Sequence, residues 1–314
     1  MLHLRVICPP EHTDDVVARL NELPGVAHVV VLPGAAVKPP GDVIEADVAR
    51  EATDEIISAL CGLGIDHSGG ITLEQIDTAL SDAADEAEEK APGDGADAVV
   101  WEELVARTGE ESRFNATFMA FLSIACLLAA VGVITDSPVT IVGAMVVGPE
   151  FGPLAAVAVG LVRRRWDLVR RAAMVLVVGF PLAMLITAGG TALGNAAGLF
   201  DASAIAGEDH QVDFVYEVGP WSLIVALLAG AAGMLSMTSA KSAALVGVFI
   251  SVTTVPAAGY ASIAAILGNW GRATESVVQL AINLLGIVLA ATVVLLVRRA
   301  TWTTSDAGRP LSNG

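Results

Sequence analysis

The 314-residue chain is 54% apolar, with a mean hydropathy of +0.66, yet it carries a formal charge of −17. The two facts separate along the sequence: residues 1–112 hold 24 Asp and Glu against 6 Lys and Arg, a net of −18, whereas residues 113–314 hold 10 against 11, a net of +1. An acidic region without clustered Lys and Arg excludes nucleic acid as its partner, because phosphate binding needs basic side chains, and it would not lie flat on an anionic membrane surface.

The first 75 residues read as a small soluble domain. Leu2 to Cys8 alternates as a strand does, with Leu2, Leu4 and Val6 on one face and His3, Arg5 and Ile7 on the other. Thr13 to Leu23 has helical spacing, with Val16, Val17, Leu20 and Leu23 as its apolar stripe and Asp14 and Asp15 at its start. Pro24-Gly25 ends it. Val26–Leu32 and Asp42–Val48 are predicted strands, Thr53–Leu63 a second helix and Ile65–Leu73 a fourth strand. The order β-α-β-β-α-β predicts a ferredoxin-like α+β domain, a fold that by itself implies no ligand. Residues 76–112 form an acidic linker, interrupted at Pro92, Gly93 and Gly95. It ends in a short amphipathic helix carrying Val99, Val100, Trp101, Leu104 and Val105, expected at the membrane interface. Residues 1–12 contain no long apolar core, so no signal peptide is expected and the N-terminus should be cytoplasmic. Cys8, Cys61 and Cys126 are odd in number, and neither they nor the scattered His residues have metal-type spacing. Free thiols and no metal site are expected.

Residues 113–300 contain six apolar runs, approximately 114–134, 138–162, 168–192, 221–240, 242–268 and 275–297. Each is close to the ~20 residues that cross a ~30 Å hydrocarbon core. Arg163, Arg164, Arg165, Arg170 and Arg171 follow the second run, Lys241 the fourth, and Arg298 and Arg299 the sixth, so all the basic clusters fall on one side. By the positive-inside rule that side is the cytoplasm, which places both termini inside a bacterial-type plasma membrane and leaves 301–314 as an expected disordered cytoplasmic tail. The loop 194–220, with Asp201, Glu208, Asp209, Asp213 and Glu217, is then external.

The second run is broken by Gly148, Pro149, Glu150, Phe151, Gly152 and Pro153. Two Gly-Pro-type interruptions remove backbone donors at a depth where lipid cannot replace them, so this backbone must face protein or a wet cavity. A carboxylate within a span is costly, and such groups commonly line an ion or substrate path; the structural alternative is a proline kink with Glu150 displaced toward an interface. A shift of 104 residues lays Val142-Gly143 on Val246-Gly247, Trp166 on Trp270 and Leu176 on Leu280, and places a second interruption at Thr253 to Gly259. Three spans per copy is odd, so the halves are expected to be inverted repeats, in which paired interrupted helices hold substrate and coupling ion near the midplane.

The candidate site residues are Gly148, Glu150 and Gly152 in the first break, Thr253 and Thr254 in the second, Ser236, Thr238 and Ser239 at the end of the fourth span, and Asn283 in the sixth. Such oxygen ligands suit Na⁺ or H⁺ as coupling ion. Each also has a packing reading, since Ser, Thr and Asn bond across helices and small residues such as Gly230, Gly233 and Gly286 permit close approach.

Val142-Gly143-Ala144-Met145 running into Gly148-Pro149 and Gly152-Pro153, then Leu245 to Pro256, and Asn269-Trp270 through Asn283, resemble the membrane proteins grouped as domain of unknown function 389. The resemblance covers roughly 114–297 and implies a six-span domain behind a small soluble one, with no assigned substrate. It implies an apolar residue between the two Pro-containing steps, where this chain has Glu150. The resulting expectation is a secondary transporter of a small solute or ion; an oligomeric channel gated by the N-terminal domain and a membrane-anchored sensor are the alternatives. The small-residue faces and the N-terminal domain are compatible with a homo-oligomer. No enzyme is expected, since Glu150 has no second acid at comparable depth, the spans hold no His and HExxH is absent from the sequence; without a GxxxxGK[ST] loop, ATP-driven transport is not expected either.

Overall fold

The computed structural model describes residues 1–76, 78–91, 99–200, 219–239 and 254–307, with side chains described as far as residue 300. Contacts divide the chain into two compact units, one built on Met1–Glu103 and the other on Leu104–Met237 with the described part of 241–297.

In the first unit, β1 (Leu2–Cys8), β2 (Val26–Val37), β3 (Pro40–Val48) and β4 (Gly70–Gln75) form one antiparallel sheet in the order β2-β3-β1-β4. The register puts Leu2, Leu4 and Val6 opposite Val48, Ala46 and Ile44. The side chains on this face meet Val16 and Leu20 of α1 (Thr13–Glu22) and Ile56 and Leu60 of α2 (Thr53–Gly62) in a single core. The opposite face is polar: His3 lies against Asp47 and Arg5 against Glu45 across the β1–β3 pair, and His28 reaches both Asp47 and Ser81. That half-buried, half-solvated alternation is what an antiparallel sheet with helices on one side requires.

The expected fourth strand, Ile65–Leu73, is corrected by the structure. Ile65–Ser68 is a helical turn, α3, and β4 starts only at Gly70. Gly64 turns the chain with a φ of +74°, a left-handed conformation in which a side chain is strained. At Gly69 a Cβ would collide with the Ile7 carbonyl, so the strand can close onto β1 only through glycine. The hairpin β2–β3 is also longer than the predicted strands, running through Pro33-Gly34 to a turn at Lys38-Pro39. Asp42 organises its base: one carboxylate oxygen accepts from Thr13 Oγ1 at 2.6 Å, the other from the Gly34 backbone N–H at 2.7 Å. The acidic segment supplies α4 (Asp82–Lys90), capped by Ser81, and the predicted amphipathic helix is α5 (Trp101–Glu111).

The second unit is helical. α6 (Ala116–Ile134) begins with Asn115 accepting from the Phe118 N–H. α7 (Pro138–Val147) and α8 (Phe151–Val162) follow, then α9 (Trp166–Ala196), α10 (Pro220–Thr238), α11 (Val255–Ile266) and α12 (Trp270–Ala307). Among the described residues, four helices are long and apolar enough to cross a membrane: α6, α9, α10 and residues 270–300 of α12. Counting the bent α7–α8 pair makes five. Of the predicted fifth span only the α11 half lies within the described residues, as do none of Lys241, Val246, Gly247 and the acids of the 201–217 loop. α9 runs unbroken through Pro181, so proline alone does not interrupt a span here. The core joins α6, α8, α9 and α11 through Leu122, Cys126, Leu154, Leu176, Phe180 and Ala258.

Candidate functional site

α7 starts where Ser137 Oγ accepts from the Thr140 N–H and Pro138 takes the first helical position, where no donor is needed. It stops at Gly148, which is extended because Pro149 restricts the residue before it and offers no N–H to continue the ladder. Glu150 then sits at the N-terminal boundary of α8, its carbonyl accepting the first helical bond from Leu154 at 3.2 Å. Pro153 falls in the first turn of α8, where it is tolerated. The two half-helices are bent by 53°.

α11 begins in the same way. Thr254 stands at its N-terminal boundary, its carbonyl accepting from Ala258 at 3.1 Å, with Pro256 in the first turn. Every residue from Val255 to Ala264 is buried, so this short helix is enclosed by protein on all sides. Its seat on α6 is backbone-close: a Cβ at Gly259 would stand 2.9 Å from Ala129 Cβ and 3.1 Å from the Cys126 carbonyl oxygen.

The two helix boundaries meet through their side chains. Thr254 Oγ1 donates to Glu150 Oε1 at 2.6 Å, with the two residues 0% and 1% exposed. The length lies within the ~2.5–2.7 Å of hydroxyl–carboxylate bonds, roughly twice as strong as neutral ones. A carboxylate buried among apolar helices costs several kcal/mol unless it is bonded, so the partnership explains how Glu150 is tolerated there.

Beside this pair lies an open cavity of about 390 Å³. Gly148, Pro149, Phe151 and Gly152, Ser236 and Met237 of α10, and Arg107, Glu111 and Arg113 are among the residues that line it. Gly152 admits the Glu111 side chain: a Cβ there would stand 2.6 Å from Glu111 Cβ. Glu111 is ion-paired with Arg107 at 3.3 Å.

Asn283 belongs to a second polar cluster. Its side-chain oxygen accepts from Ser222 Oγ at 3.1 Å and from Gln279 Nε2 at 3.2 Å, and Gln279 also donates to Ser222. Gln279 and Asn283 are buried, one helical turn apart on α12. Thr238 closes α10, its carbonyl accepting from Arg298 at 3.2 Å; Ser239 follows it, half-buried. Thr253 lies outside the described residues. Of the residues expected in one site, the structure therefore joins Glu150 with Thr254, lines the adjoining cavity with Gly148, Gly152 and Ser236, and bonds Asn283 to Ser222 and Gln279. Glu111, Ser222 and Gln279 join these sites without a motif in the sequence that marks them. The four-residue spacing of Gln279 and Asn283 on one face of an apolar helix was the available signal for the last of these.

Apolar helices of spanning length, with an antiparallel α+β sheet domain ahead of them, define a multi-pass α-helical membrane protein. Within that class, residues 145–289 match the family described as Domain of unknown function (DUF389). It is similar to Uncharacterized protein MJ0678 of Methanocaldococcus jannaschii, 23% identical over 207 residues. That similarity covers 66% of this chain and 62% of the relative, so the chain spans less than two thirds of the relative's length. No solved structure matches the chain.

Proposed function

We propose that this protein is a secondary transporter in which a small solute or ion crosses beside Glu150 and Thr254, with H⁺ as the coupling ion. In this reading the membrane domain is a six-span, 3+3 inverted repeat with both termini cytoplasmic, and the N-terminal sheet, whose strand order is that of the ferredoxin-like arrangement, is a soluble appendage to it.

One observation carries the proposal: a 2.6 Å bond between the N-terminal boundary residues of two short helices. Glu150 and Thr254 are 104 residues apart, the same offset at which the sequence overlays on itself. In a two-fold repeat, equivalent residues touch only where the axis passes between them, so the bond supports a pseudo-axis at this pair. The adjoining cavity gives Glu150's neighbours access to solvent-sized molecules. Both boundary residues stand at helix N-termini, where backbone N–H groups carry positive partial charge. That field opposes a proton and a metal cation alike, but H⁺ needs the carboxylate alone whereas Na⁺ needs several oxygen ligands around it, which favours H⁺ over Na⁺.

The test uses full-length protein in liposomes on solid-supported membranes, challenged with a panel of small anions, amino acids and metal salts with and without a pH gradient. Transient currents driven by the pH gradient are expected in wild type, absent in Glu150→Gln and weaker by about tenfold or more in Thr254→Val, the scale of a lost hydrogen bond to a charged group. Undiminished currents in both variants would remove the pair from the mechanism. Dependence on a Na⁺ gradient would replace the proton, and resolvable unitary currents in planar bilayers would make the protein a channel.

A further inference from the structure

We infer that a second cleft, formed where α6 and α9 begin, binds the headgroup of an anionic phospholipid of the surrounding bilayer. This rests on the chain being a membrane protein and not on the carrier reading. The cleft has a volume of about 780 Å³, within the roughly 300–1,000 Å³ of sites that hold drug-sized ligands.

Its polar end gathers three arginines from two separate stretches, Arg113 ahead of α6 and Arg170 and Arg171 on the first turns of α9, against a single acid, Asp167. The guanidinium of Arg171 is held in place by the Gly109 carbonyl at 3.4 Å. Asn115, which caps α6, lines the same space. Guanidinium groups bind phosphate oxygens in pairs, and a helix N-terminus adds to the pull on an anion.

The apolar end distinguishes a lipid from a soluble phosphate ester. Phe114, Met174 and Val178 line it, and all three are exposed. After Arg170, within the broader exposed face of α9 that also includes Val177 and Leu185, the exposed Met174, Val178, Leu182 and Ile186 stand at four-residue intervals. That spacing is one straight row on a helix surface, an apolar track leading away from the arginines as an acyl chain leads away from its headgroup. Two other arginines close in sequence provide the contrast. Arg163 and Arg164 belong to the same basic run but do not line the cleft, so ordinary positive-inside charge would act through them equally.

The experiment is native mass spectrometry of the full-length protein in mild detergent, titrated with dioleoyl phosphatidylglycerol, dioleoyl phosphatidylcholine or glycerol 3-phosphate. Phosphatidylglycerol is expected to remain bound when phosphatidylcholine has left. Substituting Arg113, Arg170 and Arg171 together by Gln should weaken it on the order of a hundredfold, since each basic residue at an anionic surface contributes several-fold. The paired change Arg163→Gln and Arg164→Gln should leave it unaltered. Asp167→Asn should tighten it, a gain that misfolding cannot imitate and that decides the matter if the triple variant does not fold. Equal retention of phosphatidylcholine, equal loss in the Arg163/Arg164 control, unchanged binding in the triple variant, or displacement of the lipid by glycerol 3-phosphate would each overturn the assignment.

Discussion

At the scale of single residues, carboxylates behave according to what surrounds them rather than to the region's overall charge. Asp42 lies in the strongly acidic N-terminal unit, yet the Thr13 hydroxyl and then the Gly34 N–H hold its carboxyl below the usual carboxylate range. Asp47 is also held low: burial works against it, but the hydrogen bonds from His28 and His3 outweigh burial. A group whose folded value is depressed stabilises the native state fully above its unfolded value, near ~3.9 for Asp, and loses that contribution as pH falls through the folded value. Hydrogen exchange of the β3 amides is therefore expected to accelerate in Asp42→Asn relative to wild type at neutral pH, with the gap closing as pH drops below about 4. A gap independent of pH would mean that Asp42 acts by shape alone. Glu150 was legible as a candidate because an acid between two prolines in an apolar run has few structural reasons to be there. Its partner was legible only as one of two adjacent threonines. Which of them reaches the carboxylate depends on where α11 starts, and that boundary is set by packing around Gly259 that no local pattern encodes.

At the scale of elements, periodicity located most helices and strands, and the misplaced boundaries lie where tertiary contact overrides it. Ile65 to Leu73 alternates well enough to read as one strand, but a left-handed turn at Gly64 and the fit of Gly69 against Ile7 divide it into a helical turn and a shorter strand. Pro181 leaves α9 continuous, whereas Pro149, preceded by Gly148, ends α7. Small residues in the spans read equally well as packing or as site, and here the structure separates them. Gly230 of α10 lies against the α12 backbone, where a Cβ would stand 2.5 Å from the Ile287 carbonyl oxygen. Gly143 of α7 has nothing within 4 Å of the same position. Gly230→Val is therefore expected to force α10 from α12 and cost about 1–3 kcal/mol. Gly143→Ala should be neutral or stabilising by up to ~1 kcal/mol through helix propensity. Thermal unfolding in detergent distinguishes the two, and an equal effect of both would deny Gly230 its role as a contact point.

At the scale of the whole molecule, the partition of charge visible in the sequence marks two kinds of structure, though not their boundary. Composition places the change near residue 112, at the end of the acidic run. The contacts place it within α5: Val99 and Val100 are buried, the Trp101 N–H donates to Asp54 at 3.1 Å, and Arg50 pairs with Glu103 at 3.7 Å, so these residues belong to the sheet unit. A chain cut at residue 98 would keep Val99, Val100 and Trp101 without the core that covers them, an aggregation risk unrelated to transport. A chain beginning at Leu104 avoids it and carries 12 acidic against 12 basic residues, so the net charge of −17 leaves with the soluble unit. If Glu150 and Thr254 are the operative pair, every group that binds or moves the ion is retained in that chain. Its pH-driven currents are then expected within about threefold of wild type, a difference of less than ~1 kcal/mol in the limiting step. Loss of current from a well-folded Leu104–Gly314 chain would require the sheet unit to act on the membrane domain directly. The arginine cleft offers an internal control for that outcome, because its lining residues all lie beyond the cut and phosphatidylglycerol binding should survive it in either case.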